Sequence, residues 1–241
     1  MKNRLDKLVV AAGLVSSRSQ AENYIRLGVV SVDGRVVRKA GTMISQDARL
    51  RLNLDRRYVS RAGLKLASVA DIFGIDFDNK VVLDIGSSTG GFTDYALQHG
   101  AKKVIAVDVG TDQLHPTLRS NRQIELHEKT DIRDFTSDQP IDIIVIDVSF
   151  ISLREILPYV NRHFMNSSTR LLAMVKPQFE ASRQQVSKGV IKNNNVRRKI
   201  LNDFELWARQ YFVVKDKRDS EVAGARGNLE RFYLLRRINK N

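Results

Sequence analysis

Residues 81–97 read VVLDIGSSTGGFTDYAL, and what this stretch holds decides how the rest of the chain is read. An apolar, β-branched run stops at Asp84, a turn follows with Gly86, Gly90 and Gly91, and Phe92 opens a helix-like segment. Strand, glycine-rich turn and helix in that order are the usual grip on a nucleotide-shaped cofactor. The dinucleotide fingerprint G-x-G-x-x-G is absent, because the spacing is Gly86-Ser-Ser-Thr-Gly90-Gly91 and no glycine stands where a pyrophosphate needs the backbone close. A hydride-transferring nicotinamide cofactor is therefore disfavoured.

Working outward, short β-branched runs recur: KVVLDIG, KKVIAVDVG, IELHEK, IDIIVIDVSF and TRLLAMVKP, with helix-length segments between several of them. That rhythm predicts an α/β fold with a parallel sheet covered on both faces. QYFVVKDKRDS and LERFYLLRR, separated by the glycine-containing EVAGARGN, predict a terminal antiparallel pair. Asp108 ends the second run at the offset where an acidic residue accepts ribose hydroxyls in nucleotide-binding sheets.

The N-terminal stretch has another rhythm. Ser16 or Ser17 can cap a helix over RSQAENYIRLG, with Ala21, Tyr24, Ile25 and Leu27 at helical spacing and Gly28 where a C-terminal cap belongs. VVSVDGRVV then places Asp33-Gly34 between two Val-rich runs, a strong hairpin signal, and ARLRLNL alternates as a further strand. DRRYVSRAGLKL carries no strand pattern and is taken as a linker running into a helix with Lys65. The boundaries expected are 1–54 for a small α+β unit, 55–63 for the linker and 64–241 for the sheet domain.

Lys and Arg total 40 against 27 Asp and Glu, a net charge of +13 that favours an anionic partner such as nucleic acid over a merely basic surface. The chain has no cysteine, which excludes disulfides, thiolate metal sites and Cys nucleophiles. His99, His115, His127 and His163 lack metal-ligand spacing, so no metal is expected. No run is apolar enough for a spanning helix and no signal peptide is evident, which leads us to expect a cytoplasmic protein.

The pattern D-x-G-x-x-x-G-G resembles the first motif of S-adenosylmethionine-dependent methyltransferases. That resemblance implies a loop of Asp84, Gly86, Ser87, Gly90, Gly91 and Phe92 around the methionine end of the cofactor, and Asp131 and Ile132 at its adenine. Asp147-Val148-Ser149-Phe150 is not the N-P-P-Y type of tetrapeptide that grips a base nitrogen, so an exocyclic amine is disfavoured as acceptor. Lys65, Asp147, Lys176 and Glu230 stand at strand or helix ends, where each alone reads as a solvated charge. Together they match in order the Lys-Asp-Lys-Glu set of the FtsJ-like 2'-O-methyltransferases. A ribose hydroxyl needs a positioned base, and a lysine serves only when desolvation or a second cation lowers its proton affinity. Lys176 is assigned as that base, Lys65 as the second cation, and Asp147 and Glu230 as the groups that orient the amines. Glu221 competes with Glu230 but lacks the Gly-Asn-x-Glu context.

Over the whole chain RLDKLV, SSRSQAENYI, GVVSVDG, YVSRAGLKL, DIGSSTGGFTD, IDVSFISL, VKPQFE and GNLE resemble the TlyA/hemolysin A family, an S-four-type RNA-binding domain followed by an FtsJ-like methyltransferase. The resemblance implies methylation of cytidine ribose in ribosomal RNA, with ribosomal RNA or a ribosomal subunit as partner and no obligate protein partner. Arg4, Lys7, Arg18, Gln20 and Arg26 are the expected RNA contacts; Arg18 and Arg26 lie on about the same helix face. The alternatives are a non-catalytic RNA-binding or ribosome-assembly protein on the same fold, and a membrane-lytic protein, which the absence of spanning or long amphipathic β patterns disfavours.

Overall fold

A computed structural model describes residues 2–15, 18–27, 30–52, 58–187, 189–222, 224 and 227–238; the side chains of Ser19, Gln20, Asn23, Arg26, Leu27 and Arg183 fall outside it. The expectations for Ser16, Ser17, Gly28 and the Gln20 and Arg26 side chains therefore lie outside the described residues. The chain divides into two compact units, Met1–Arg57 and Tyr58–Asn241.

The first unit runs β1 (Lys2–Arg4), α1 (Leu5–Ala11), α2 (Arg18–Leu27), β2 (Val30–Val32), β3 (Arg35–Val36), β4 (Met43–Ser45) and β5 (Leu50–Leu52). Asp33 and Gly34 take φ of 50° and 81°, the left-handed pair that lets a two-residue turn join β2 to β3. β2 pairs antiparallel with both β3 and β5, and β1 with β4. Leu5, Val9, Ala21, Tyr24 and Ile25 from the helices close over Val30 and Val32. This is the α+β unit expected. β1 and β4, each three residues long, were too short to leave an alternating pattern.

The second unit runs α3 (Arg61–Ala70), β6 (Val81–Ile85), α4 (Gly91–Gln98), β7 (Lys103–Val107), α5 (Pro116–Arg119), β8 (Ile124–His127), β9 (Ile143–Ile146), α6 (Leu153–Phe164), β10 (Arg170–Val175), α7 (Pro177–Glu180), α8 (Asn194–Ala208), β11 (Phe212–Asp219) and β12 (Arg231–Arg237). Among the described residues it holds a seven-stranded sheet ordered β11-β12-β10-β9-β6-β7-β8. β6 to β10 pair in parallel, while β12 is antiparallel to β10 and to β11 and lies between them. The last strand is thus inserted, and β11 forms the edge. Lys215, Lys217 and Arg218 project from β11, charges that discourage edge-to-edge pairing. Residues 58–63, expected as linker, belong to this unit: the Val59 N–H donates to Asp94 at 2.6 Å and the Tyr58 and Tyr95 rings lie 5.3 Å apart. A polar stretch held by one aromatic ring and one capped N–H leaves no apolar period to read.

Alternation along the strands assigns every side chain to a face. Leu83, Ile85, Ile144, Ile146, Leu171, Ala173, Val175, Tyr233 and Leu235 meet α6 and α8. Val82, Ile143, Val145, Leu172, Met174, Phe232 and Leu234 meet α3 and α4.

Candidate active site

The strand order reverses between β6 and β9, the place where open α/β sheets bind ligands beyond their carboxyl ends. A cavity of about 320 Å³ lies there, and its walls come from four strand ends: Gly86 and Ser88, Asp108 and Val109, Asp131 and Ile132, and Asp147 to Ile151. Gly86 has φ 80°, and a Cβ on it would stand 2.8 Å from the Asp147 carbonyl oxygen, so the turn closes only with glycine. Asp108 is fixed by its own loop: Oδ2 accepts from the Ser88 N–H at 2.8 Å and Oδ1 from the Gly110 N–H at 2.7 Å. Each oxygen keeps a lone pair for a hydroxyl on the cavity side. Asp131 spends its carboxylate on Arg133, with bonds of 2.9 Å to Nε and 2.7 Å to Nη2, and that guanidinium holds it below the ordinary carboxylate range.

The rest of the expected loop is not in the cavity wall. Asp84, one residue out of phase with Ile85, points to the α3/α4 face and is fully buried. Its Oδ2 accepts from Thr93 Oγ1 at 2.6 Å, and burial, with the charges of Asp147 and Asp108, pushes its carboxyl up to about 7. Gly90 has φ 89° and faces Leu114 and Leu118; Gly91 packs against Ser60 and Ala62; Phe92 lies against Phe232 in the core. These three shape the turn from behind. Ser87 is buried with no hydrogen-bond partner for Oγ among the described residues.

The four charged residues form two pairs, with Lys65, Lys176 and Glu230 buried and Asp147 half-buried. Lys65 of α3 meets Glu230 at 2.5 Å, and Lys176 meets Asp147 at 2.5 Å while donating to Ser149 Oγ at 2.7 Å. Parity explains why they converge: Asp147, Lys176 and Glu230 continue β9, β10 and the start of β12 in phase with Val145, Met174 and Phe232, all on the face that α3 covers. Asp147 and Ser149 line the cavity.

Several neighbours of these pairs carried no expectation. Phe150 is 92 % exposed with φ 68°, a conformation aromatic residues rarely adopt, and its ring lies 5.2 Å from Phe179. Glu180 accepts from Ser152 Oγ at 2.6 Å and from the Leu153 N–H at 2.7 Å, tying the turn after β10 to the start of α6, and burial pushes its carboxyl up. Gly224 leaves room for Glu230, since a Cβ there would overlap Oε1. Phe150 and Glu180 stand inside the motifs quoted above, so their positions were visible; the φ angle and burial that mark them were not.

In the first unit, Arg4 and Arg18 are half exposed and both bond the buried Asp6, while Lys7 is exposed. Among the described residues no group of His, Asp or Glu gathers to hold a metal ion, and no helix is long and apolar enough to cross a membrane.

Residues 58–237 match the FtsJ-like methyltransferase family and residues 3–50 the S4 domain. Hemolysin A of Brachyspira hyodysenteriae is 40% identical over 233 residues, covering 94% of this chain and 97% of that protein. The 23S rRNA (cytidine-2'-O)-methyltransferase TlyA of Campylobacter jejuni is 42% identical over 183 residues, 75% of this chain and 71% of that one. A solved structure from Streptococcus thermophilus, provisionally described as a hemolysin, superposes with a TM-score of 0.78 at 36% identity, covering 99% of this chain and 90% of its own. With two matched domains in this order and relatives alike along nearly the full chain, the protein belongs to the TlyA/hemolysin A family of FtsJ-like methyltransferases.

Proposed function

We propose that this chain methylates a ribose 2'-hydroxyl, that of cytidine in ribosomal RNA, with S-adenosylmethionine as donor. The observation that carries the reading is the pair of lysine–carboxylate contacts, the buried Lys65–Glu230 and the half-buried Lys176–Asp147, beside a cavity at the switch point of the sheet. The cited relative from Campylobacter, named for cytidine-2'-O methylation of 23S rRNA, supports the acceptor.

The cavity suits the donor by its chemistry. Asp108 offers two oxygens to the ribose hydroxyls, Ile132 and Val109 offer apolar walls to the adenine, and the orphaned Ser87 hydroxyl lies within the loop, where a polar group of the ligand would satisfy it. S-adenosylmethionine, when bound, supplies an electrophilic methyl group. The chain's own residues deal with the hydroxyl. Lys176 is assigned as the base because its partners Asp147 and Ser149 line the cavity, whereas neither Lys65 nor Glu230 does. Its Nζ takes the 2'-proton as the oxygen is alkylated. Asp147 and Glu230 hold the two amines in place, and Lys65 stabilises negative charge on the oxygen. Phe150, held out into solvent at the cavity rim, is a stacking surface for the acceptor base, whose ribose must leave its neighbours to reach the site.

The test is to incubate unmodified ribosomal RNA with the protein and S-adenosylmethionine, digest the RNA to nucleosides and identify the methylated one. The reading expects 2'-O-methylcytidine. Base-methylated products, or none from a protein that binds the donor, would contradict it.

A further inference from the structure

Each lysine of the site has a carboxylate beside it, but the two contacts differ in kind. Lys65 Nζ donates a hydrogen bond to Glu230 Oε2 at 2.5 Å. Lys176 Nζ lies equally close to Asp147 Oδ1, 2.5 Å, yet at an angle that makes no hydrogen bond, and that oxygen stays buried without one among the described residues. The hydrogen bond that Lys176 Nζ does make goes to Ser149 Oγ at 2.7 Å. Attraction between charges is nearly indifferent to direction, whereas a hydrogen bond weakens steeply off its axis. Asp147 therefore holds the amine by charge, and Ser149 gives it direction.

The strands explain the difference. β9 and β10 run in parallel with Ile146 registered against Ala173, and Ser149 and Lys176 each stand three residues beyond that pair, so the two meet across the strand ends. Asp147 stands only one residue beyond it and reaches the amine from the side. Both Asp147 and Ser149 line the cavity at the switch point of the sheet.

A base needs its lone pair aimed at the proton it takes, and a lysine amine turns about its Cε–Nζ bond unless one of its N–H groups is tied. With one N–H on Ser149, the tetrahedral nitrogen has two fixed directions left, and the lone pair of the neutral amine takes one of them. A hydroxyl suits this task better than a second carboxylate would, because it accepts the bond without adding a negative charge that keeps the proton on the nitrogen.

We infer that Ser149 is a positioning residue that aims the lone pair of Lys176 at the 2'-hydroxyl. The inference rests on the reading of Lys176 as the base of a ribose methyl transfer.

The experiment is single-turnover methyl transfer from S-adenosylmethionine to unmodified ribosomal RNA by the full chain, with donor and RNA saturating. Ser149 is exposed, so its replacement does not open the core. Ser149→Ala is expected to lower the rate about tenfold or more, with the half-saturating RNA concentration, the donor affinity by calorimetry and the unfolding temperature near those of wild type. Ser149→Thr keeps a hydroxyl at the same place and is expected to retain most of the rate. In Ser149→Ala the rate should still rise with pH, because the amine remains. A wild-type rate in the alanine variant, or equal losses in the alanine and threonine variants, would overturn the positioning role. A loss of donor affinity that matches the loss of rate would overturn it too, as would a loss in Ser149→Ala as large as that in Lys176→Ala, which would make the hydroxyl a carrier of the proton. Wild-type protein that binds donor and RNA but transfers no methyl group to ribose would overturn the reading of the site itself, an outcome that no comparison among Ser149 variants produces.

Discussion

Lys176 and Glu230 stand opposite one another across β10 and β12, one step beyond the last registered pair, Val175 and Arg231. Because Glu230 holds Lys65, that register brings an amine from α3 to the strand end that carries the other amine. The antiparallel insertion of β12 beside β10 is thus what assembles the site. A last strand added at the outer edge would leave Glu230 one strand away from Lys176.

Cofactor contact and loop support are separable. Asp108→Ala is expected to weaken S-adenosylmethionine binding measured by calorimetry, with the unfolding temperature near that of wild type. Gly90→Ala acts through the backbone, since φ 89° is left-handed while the leucine methyls it meets can turn aside. Strain of about 1 to 2 kcal/mol is expected in denaturant unfolding. A Gly90→Ala protein of unchanged stability would remove the assigned backbone constraint.

Asp84 predicts a pH dependence of stability. Its carboxyl is raised from 3.8 to about 7, with burial the largest cause, so the folded chain keeps this proton over a range where the unfolded chain has released it. Stability from this residue is full below 3.8, falls as pH rises towards 7 and is level above. Asp84→Asn, which can still accept from Thr93, should flatten that part of the profile. Parallel profiles for the two proteins between those limits would show that Asp84 is ionised throughout.

The sequence carried the sheet because buried parallel strands are β-branched runs, and it carried the first hairpin because Asp33-Gly34 permits few other turns. It also carried the order of Lys65, Asp147, Lys176 and Glu230. What it could not carry was facing. Asp84 and Phe92 belong to the same contiguous motif as Gly86, yet alternation in β6 and the first turn of α4 send them into the core. The sharing of Asp6 by Arg4 and Arg18 depends on a contact across the turn between two helices, which spacing along the chain does not encode.

Phe150→Ala should lower single-turnover methylation of ribosomal RNA by about tenfold or more, with donor affinity changed less, while Phe150→Trp should retain most of the activity. If alanine and tryptophan variants behave alike, the exposed ring is not a stacking surface.

Glu180 is expected to act through the turn it holds. Glu180→Ala leaves the Leu153 N–H and Ser152 hydroxyl without their acceptor and should cost about 1 to 3 kcal/mol of stability. Turnover should fall more than the Michaelis constant for RNA rises, with Glu180→Gln intermediate. An equal fall in activity and in folded fraction would reduce Glu180 to a purely structural role.

The most direct test of the account is single-turnover methyl transfer to ribosomal RNA by Lys176→Arg, followed across pH. General-base catalysis contributes about a hundredfold or more, and a guanidinium keeps its proton, so the variant should lose at least that much rate while binding donor and RNA as wild type does. The wild-type rate should rise with pH as the base loses its proton, and the variant should show no such rise. Near-normal turnover in Lys176→Arg would mean that the residue serves as a fixed positive charge and that the base is another group, with Lys65 the first to examine.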